Sequence, residues 1–501
     1  MIAPSKQSAA RENPEAENSG SPQPRLIYID LDGSLIRTDL FVEALFRLIK
    51  RNPLFLLQCI RWLFKGRSAL KAFVARKVKI DAAHLPYETD LIEYLVEQKK
   101  NGRRLILATA SHSTYAHRVA NHLGIFDAVI ASSAKRNLKG RNKLSRIIDT
   151  ANGEDFTYVG DSPADRPIWE KAATAILVNP RNSDLKSVSA NDKCEQVFTR
   201  KISVFRSFLR EMRPHQWAKN MLIFVPILTS HSYMNETTLL SAILAFVTFS
   251  LCASGVYFLN DLLDMDADRR HETKRHRPLA SGNLPISYGI VGAFVLPLAA
   301  FGIAGYTLSP IFMGVLAGYF ILTILYSFVL KSISTADVMT LGILYTLRVV
   351  AGAAATGITL SSWLAAFSIF LFVSLAYLKR YIEVAATVPE EGKIGGRGYT
   401  AFDTETMFSL GVANASVSVL VFALYLNSSE VTEIYSHPQL LWLLCILLLY
   451  WTNRIWVGAR RGKITEDPVV FAIKDKVSRI VGIAFICVVF AAKHINIETG
   501  N

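Results

Sequence analysis

The sequence predicts a multidomain protein: a soluble α/β domain of Rossmann-like type with a helical cap, then an all-α transmembrane bundle of nine helices. Three observations carry this prediction. The character of the chain changes near residue 205, from short apolar strands ending in polar clusters to long apolar runs. Of the 501 residues, 51% are hydrophobic, and the mean hydropathy is +0.28, above what a soluble enzyme shows. Lys and Arg in the second half fall in every other loop between the apolar runs.

Residues 1–24 are polar, rich in Pro, Ser and Glu, and lack an apolar core, so they predict a disordered tail and not a signal peptide. Residues 25–185 contain the strand segments LIYIDLD, RLILATAS and FTYVGD with helical stretches between them. The stretch from about 38 to 95 interrupts this pattern and reads as the cap. Within it, PLFLLQCIRWLF is too short to span a bilayer and carries Arg61. It lies on the membrane surface or packs inside the cap; the sequence leaves both open. Residues 186–204 are polar and predict a linker.

From 205 to 501 the apolar cores are 220–230, 239–259, 285–307, 310–330, 336–357, 363–378, 407–426, 440–456 and 477–492. Most approach the roughly 20 residues that a spanning helix needs. Loops 230–238, 307–310, 357–362 and 427–439 contain no Lys or Arg, whereas 260–284, 331, 379–406 and 453–476 contain sixteen. The positive-inside rule makes the charged side cytoplasmic. The expected setting is the inner (cytoplasmic) membrane, with the N-terminal domain cytoplasmic and the C-terminus outside. An odd number of helices fits this alternation.

The net charge of +14 sits mainly in those loops, which favours anionic lipid and phosphate ligands and argues against nucleic acid. The five cysteines, at 59, 194, 252, 445 and 487, have no zinc or redox spacing. A homo-oligomer is left open.

Asn260, Asp264 and Asp268 follow the second apolar run at steps of four, which places three oxygen-bearing side chains on one helix face. Clustered carboxylates repel unless a cation sits between them, and Mg²⁺ takes oxygen ligands and substrate phosphates. Arg269, Arg270, Lys274, Arg275 and Arg277 follow at once. The combination suggests a diphosphate substrate at a membrane surface; the alternative is a solvated charged loop. Arg348 lies inside the fifth run with Asp337 eleven residues earlier, so both line one polar cavity, or Arg348 is a structural ion-pair partner. Lys379, Arg380, Glu383, Arg397 and Tyr399 gather after the sixth run, and RPHQWAKN supplies Arg213 and Lys219 beside an aromatic anchor.

In the soluble half, Asp30 and Asp32 end the first strand next to a glycine, a pattern able to supply nucleophile, general acid/base and metal ligand. Thr109 ends the second strand, Lys143 follows it, and Asp161 and Asp165 follow the third.

NDLLDMDAD, with charged loops after the second and sixth helices, resembles the UbiA superfamily of membrane prenyltransferases over about residues 205–493. RPHQWAKN, TKRHRPLASG, LYSFVLK and LKRYIE are similar to its polyprenyl-phosphate phosphoribosyltransferase branch. That resemblance implies that Asn260, Asp264 and Asp268 hold Mg²⁺ on the diphosphate of phosphoribosyl diphosphate. It implies phosphate binding by Lys219, Arg275, Arg277, Lys379 and Arg380, with Arg213, Lys274, Arg348, Glu383 and Tyr399 also on the substrate side. A polyprenyl phosphate lipid would attack the ribose C1. Where many superfamily members carry a second aspartate-rich motif, this chain has LKRYIE, with one carboxylate and two cations. That departure suits a substrate with an additional phosphate.

Residues 25–185 resemble the haloacid dehalogenase phosphatases. By that resemblance Asp30 is the nucleophile and Asp32 the general acid/base. Thr109 and Lys143 hold phosphate oxygens, and Asp30, Asp32, Asp161 and Asp165 form the Mg²⁺ set. The expectation is a bifunctional enzyme that makes a polyprenyl-phosphoryl-5-phosphoribose, then removes the 5-phosphate, feeding cell-envelope synthesis. The alternatives are an aromatic-acceptor prenyltransferase with an independent phosphatase, and a non-catalytic regulatory module in place of the phosphatase.

Overall fold

The computed structural model describes residues 24–200, 202–385, 398–428, 431, 435–464 and 467–494. The expected polar tail (but for residue 24) and Arg397 lie outside these residues. The chain divides into two units, Met1–Lys201 and Ile202–Asn501.

In the first unit, β1 (Leu26–Ile29) is followed by helices α1 (Leu40–Arg51), α2 (Phe55–Phe64), α3 (Arg67–Lys77) and α4 (Thr89–Lys100). Then come β2 (Arg104–His112), α5 (Ser113–Leu123), β3 (Ala128–Ser132), α6 (Arg141–Ala151), β4 (Phe156–Gly160), α7 (Arg166–Lys171), β5 (Thr174–Val178), α8 (Asn182–Ser189) and β6 (Cys194–Phe198). All strand pairs are parallel, in the order β3-β2-β1-β4-β5-β6. Helices on both faces explain why β1 and β4 are buried at every position and read as continuous apolar runs. The strand order reverses direction at β1 and β4, so their carboxyl ends open the crevice where α/β folds place ligands.

One expectation changes here. The cap insertion is helical, as expected, and comprises α1 to α3. The stretch expected as a linker is not one: Leu177 and Val178 of β5 align with Val197 and Phe198 of β6. CEQVF is polar because an edge strand is only half covered.

In the second unit, α9 (Val204–Glu211) precedes a 3₁₀ segment, Pro214–Phe224, and the short α10 (Val225–Thr229). The long helices are α11 (Glu236–Arg270), α12 (Ile286–Thr307), α13 (Pro310–Phe328), α14 (Ala336–Thr356), α15 (Ser362–Ala385), α16 (Thr404–Leu426) and α17 (Trp442–Arg460). After them come α18 (Pro468–Lys474) and α19 (Lys476–His494). Among the described residues seven helices are long and apolar enough to cross a membrane, where the sequence predicted nine. The ninth apolar run forms α19, of 19 residues. The first does not form one α-helix. Pro214 and Pro226 lack backbone donors, and the segment turns from 3₁₀ to α at Val225.

Small residues set the packing. A Cβ at Gly352 of α14 would lie 2.0 Å from the Ile223 carbonyl oxygen, so the 3₁₀ segment rests directly on glycine. Helix α11 has 35 residues, about 53 Å at 1.5 Å per residue. That exceeds the roughly 30 Å hydrocarbon thickness, so one end, bearing Asn260 to Arg270, projects beyond the apolar layer.

Candidate functional site

The first unit assembles its site at the carboxyl ends of β1, β2 and β4. One oxygen each from Asp30, Asp161 and Asp165 falls within a 4.8 Å cluster. Lys143, in the first turn of α6, reaches in with Nζ 3.0 Å from Asp30 Oδ2 and 3.3 Å from Asp165 Oδ1. Its ammonium donates to the Tyr158 hydroxyl at 2.8 Å, and that hydroxyl donates to Asp165 Oδ1 at 2.8 Å. Ser34 Oγ donates to Asp161 Oδ1 at 3.3 Å. Gly33 is required here. Its φ is +86°, and a Cβ would lie 2.2 Å from Asp161 Oδ2.

Burial, then repulsion from Asp30 and Asp165, raises the Asp161 carboxyl to about 8. Burial also raises Asp30, against the pull of Lys143. Burial opposes the charge on Lys143, but Asp30 and Asp165 outweigh it and hold the ammonium protonated. Three carboxyl groups face one ammonium, an excess of acid that a cation would relieve. An all-oxygen donor set with that excess fits Mg²⁺.

Asp32 does not join that cluster, a correction to the expected metal set. Its Oδ2 accepts from Ser111 Oγ at 2.6 Å and its Oδ1 from the Leu40 amide at 2.9 Å, which fixes it at the cap entrance. Burial, then Asp39, raises its carboxyl well above the ordinary carboxylate range, as suits a group that donates a proton. Thr109 is buried, and its Oγ1 accepts from the Ser111 amide at 2.9 Å. Ser111 and Tyr158 were not singled out from sequence. Tyr158 alternates within an apolar strand and reads as core.

In the second unit the acidic face of α11 is present but partly neutralised. Arg277 Nη1 lies 2.6 Å from Asp268 Oδ2, and Lys331 Nζ lies 3.5 Å from Asp264 Oδ2. The Oδ1 of Asn260 is buried without a hydrogen-bond partner. An oxygen in that state, one face with Asp264 and Asp268, fits a hard cation such as Mg²⁺. Asp261, absent from the expected set, is buried and binds Arg213 and, at 3.1 Å, Arg277. Arg213 is thereby an anchor for the helix. Beside it, Glu211 is buried, and burial together with Asp261 raises its carboxyl to about 9.

Four further expected residues are placed differently from their predicted role. Arg380 is buried and binds Asp337, Glu383 at 2.5 Å and the Tyr326 hydroxyl at 2.7 Å, so it locks α14 to α15 and is not presented to a phosphate. Asp337 therefore pairs with Arg380, whereas its predicted cavity partner was Arg348. The side chain of Glu383 is occupied by the same arginine. Tyr399 is buried, and its hydroxyl accepts from the Thr335 amide at 2.9 Å. Lys274 and Arg275 are exposed on a 3₁₀ turn.

Lys219 and Lys379 converge. Both contact Asp467 Oδ2, at 2.8 and 3.2 Å. Burial would raise the Asp467 carboxyl, but the two ammonium groups outweigh it and hold it far below the usual range. Arg348 is buried within α14 and meets neutral partners. Its Nε donates to Asn220 Oδ1 at 2.8 Å, and its guanidinium lies 5.3 Å from the rings of Tyr319 and Tyr345. Among the described residues no carboxylate pairs with it.

The family models agree with this architecture. The model of the UbiA prenyltransferase family matches residues 222–388, and that of the haloacid dehalogenase-like hydrolases matches 27–170. The protein y4nM of Sinorhizobium fredii is 36% identical over 90% of this chain and 88% of its own length. The nodulation protein NoeC of Azorhizobium caulinodans is 34% identical over 54% of this chain and 88% of its own. The decaprenyl-phosphate phosphoribosyltransferase of Corynebacterium glutamicum is 28% identical over 56% of this chain and 86% of its own. A UbiA homologue from Archaeoglobus fulgidus, solved with GPP and Mg²⁺, is 17% identical with a TM-score of 0.45, over 58% of this chain and 100% of that one. Its own helices, sheet and family matches thus place this integral membrane chain in the UbiA prenyltransferase family, joined to an N-terminal haloacid dehalogenase-like hydrolase domain.

Proposed function

We propose that the second unit transfers 5-phosphoribose from phosphoribosyl diphosphate to a polyprenyl phosphate, and that the first unit then removes the 5-phosphate. The observation that carries this reading is the cation surplus of the second site. Lys219 and Lys379 share one carboxylate, and Arg348 meets none among the described residues. A donor with a phosphate besides its diphosphate suits that surplus better than a simple prenyl diphosphate does. The 28% identity to decaprenyl-phosphate phosphoribosyltransferases supports the same acceptor class.

In the transfer, a phosphate oxygen of the lipid attacks ribose C1, the bond from C1 to the diphosphate oxygen breaks, and diphosphate leaves. Arg277, Lys219 and Lys379 would orient the anionic groups, and Arg348 would hold a phosphate in the water-poor interior. Mg²⁺ held by Asn260, Asp264 and Asp268 would supply charge neutralisation on the leaving group. In the hydrolysis, Asp30 attacks phosphorus and the bond from phosphorus to the ribose 5-oxygen breaks as Asp32 protonates that oxygen. Asp32 then takes a proton from the water that opens the aspartyl-phosphate. The charged loops support a cytoplasmic placement of the transferase site by the positive-inside rule.

The test is turnover of the full chain in lipid nanodiscs with Mg²⁺, phosphoribosyl diphosphate and a short polyprenyl phosphate, read by mass spectrometry. Wild type should give ribosyl lipid, Asp30→Asn should stop at the 5-phosphate form, and Asp264→Ala should give neither. Consumption of prenyl diphosphate with an aromatic acceptor, and none of phosphoribosyl diphosphate, would refute it.

A further inference from the structure

The cap of the first unit carries a surface that its own fold does not use. Helix α2 is apolar on two sides. Phe55, Cys59 and Trp62 face the core, with Trp62 stacked on Phe73 of α3 at 5.4 Å. Leu56, Leu57, Ile60, Leu63 and Phe64 occupy the other side, at the spacing of one helical stripe, and are 49, 66, 46, 52 and 88% exposed. Leu54, just before the helix, is 66% exposed. A contiguous apolar stripe on a small cap signals a partner.

Charge identifies that partner. From residue 44 to residue 80 the chain contains ten Lys and Arg and not one Asp or Glu. Lys50, Arg51, Arg61, Lys65 and Arg67 flank α2 and are exposed. By helical angle, Arg61 borders the apolar stripe, where a long cationic side chain keeps its head in water while its stem lies on lipid. Apolar stripe, cationic border and absence of acids are the features of a helix that lies in the interface of an anionic bilayer. The C-terminal unit is itself membrane-spanning, so a bilayer is always present for this chain.

We infer that α2 docks the cap of the hydrolase unit onto an anionic lipid surface, with the stripe of Leu56, Leu57, Ile60, Leu63 and Phe64 in the acyl boundary. The cap touches the catalytic end of the sheet, since Lys71 of α3 donates to the Ala110 carbonyl at 2.7 Å, between Thr109 and Ser111. Docking through α2 therefore holds the mouth of the site near the headgroups, where a lipid-linked phosphate resides and a soluble sugar phosphate does not. The inference does not depend on the phosphoribosyl reading of the second unit.

The test places a benzophenone amino acid at Leu57 or Phe64, with Gln58 as control, in the full chain in phosphatidylcholine nanodiscs with and without phosphatidylglycerol. Mass spectrometry of the photoproducts should show lipid adducts at Leu57 and Phe64, enriched with phosphatidylglycerol and depleted at Gln58. Adducts to other segments of the chain, to a second copy, or to water alone would each overturn the docking. Arg61→Glu with Lys65→Glu should abolish the phosphatidylglycerol enrichment while hydrogen-exchange protection of β1 stays unchanged; enrichment that survives would also overturn it.

Discussion

Lys143→Met tests the charge balance of the hydrolase site directly. The methionine keeps most of the stem and removes the ammonium. At an effective dielectric of about 20, unit charges 3.0 Å apart attract by about 5.5 kcal/mol, and those 3.3 Å apart by about 5 kcal/mol. Burying the lysine offsets most of that gain. Removing one member of a buried ion cluster nonetheless destabilises by about 3–5 kcal/mol, because the carboxylates left behind have no counterion. Without the pull of Lys143, burial would raise the Asp30 carboxyl further and favour its protonated form, and a protonated Asp30 is not a nucleophile.

The expected result is a loss of hydrogen-exchange protection in β1 and β4 of the full chain, with phosphate release reduced by roughly 10²-fold or more. Added Mg²⁺ should return part of the protection, since a divalent cation supplies the missing charge. Lys143→Arg should restore protection but not turnover, because its planar fork cannot reproduce contacts at one point. Unchanged protection in Lys143→Met, with turnover within a few-fold of wild type, would refute the counterion argument.

Other outcomes follow from single contacts. Asp467→Asn frees Lys219 and Lys379 from their shared partner and should raise KM for the diphosphate donor about tenfold, as lost preorganisation of roughly 1.4 kcal/mol; a lower KM would mean that Asp467 competes with substrate. Gly352→Ala forces a Cβ against the Ile223 carbonyl and should lower the thermal stability of the transferase unit by about 1–3 kcal/mol, whereas Gly314→Ala, facing open space, should be neutral. Glu195 accepts from Tyr94, Thr174 and Arg103, which outweigh burial and lower its carboxyl. A depressed carboxylate gives stability that is full above its ordinary value of 4.5 and lost as pH falls through its folded value. Glu195→Gln should therefore weaken β5 and β6 protection at neutral pH, with the difference from wild type vanishing in acid.

The hydrolase site was largely legible because its residues sit at strand ends, where the strand–turn pattern itself marks the position. Asp30, Lys143, Asp161 and Asp165 meet as the motif order implied. What local pattern cannot show is pairing across the sequence. Lys379 and Arg380 are adjacent, yet one helical step of 100° sends one to Asp467 and the other into the core to Asp337, 43 residues away. Asp261 escaped because the step of four from Asn260 hid its neighbour, which faces Arg213. Asp467 lies in a loop without periodicity. Strand β6 read as linker because an edge strand needs little apolar content.

The two sites stand on opposite sides of electroneutrality, and this gives the last prediction. In the hydrolase unit three carboxylates face one lysine, so a phosphate dianion meets net repulsion until a cation is present. In the transferase unit Asp264 and Asp268 each face a cation, and Asp467 faces two, while Arg348 meets no carboxylate among the described residues. An anionic ligand should therefore still bind the transferase unit after chelation, with weakened turnover, whereas the hydrolase unit should lose phosphate binding altogether. Phosphoribosyl diphosphate binding by the full chain in EDTA, read by calorimetry for wild type and for Arg348→Met, measures this. Retained binding that Arg348→Met weakens supports the charge argument. Binding abolished by EDTA would refute it, because the cations of the second unit would then be neutralised within the protein and the acidic face of α11 alone would govern affinity.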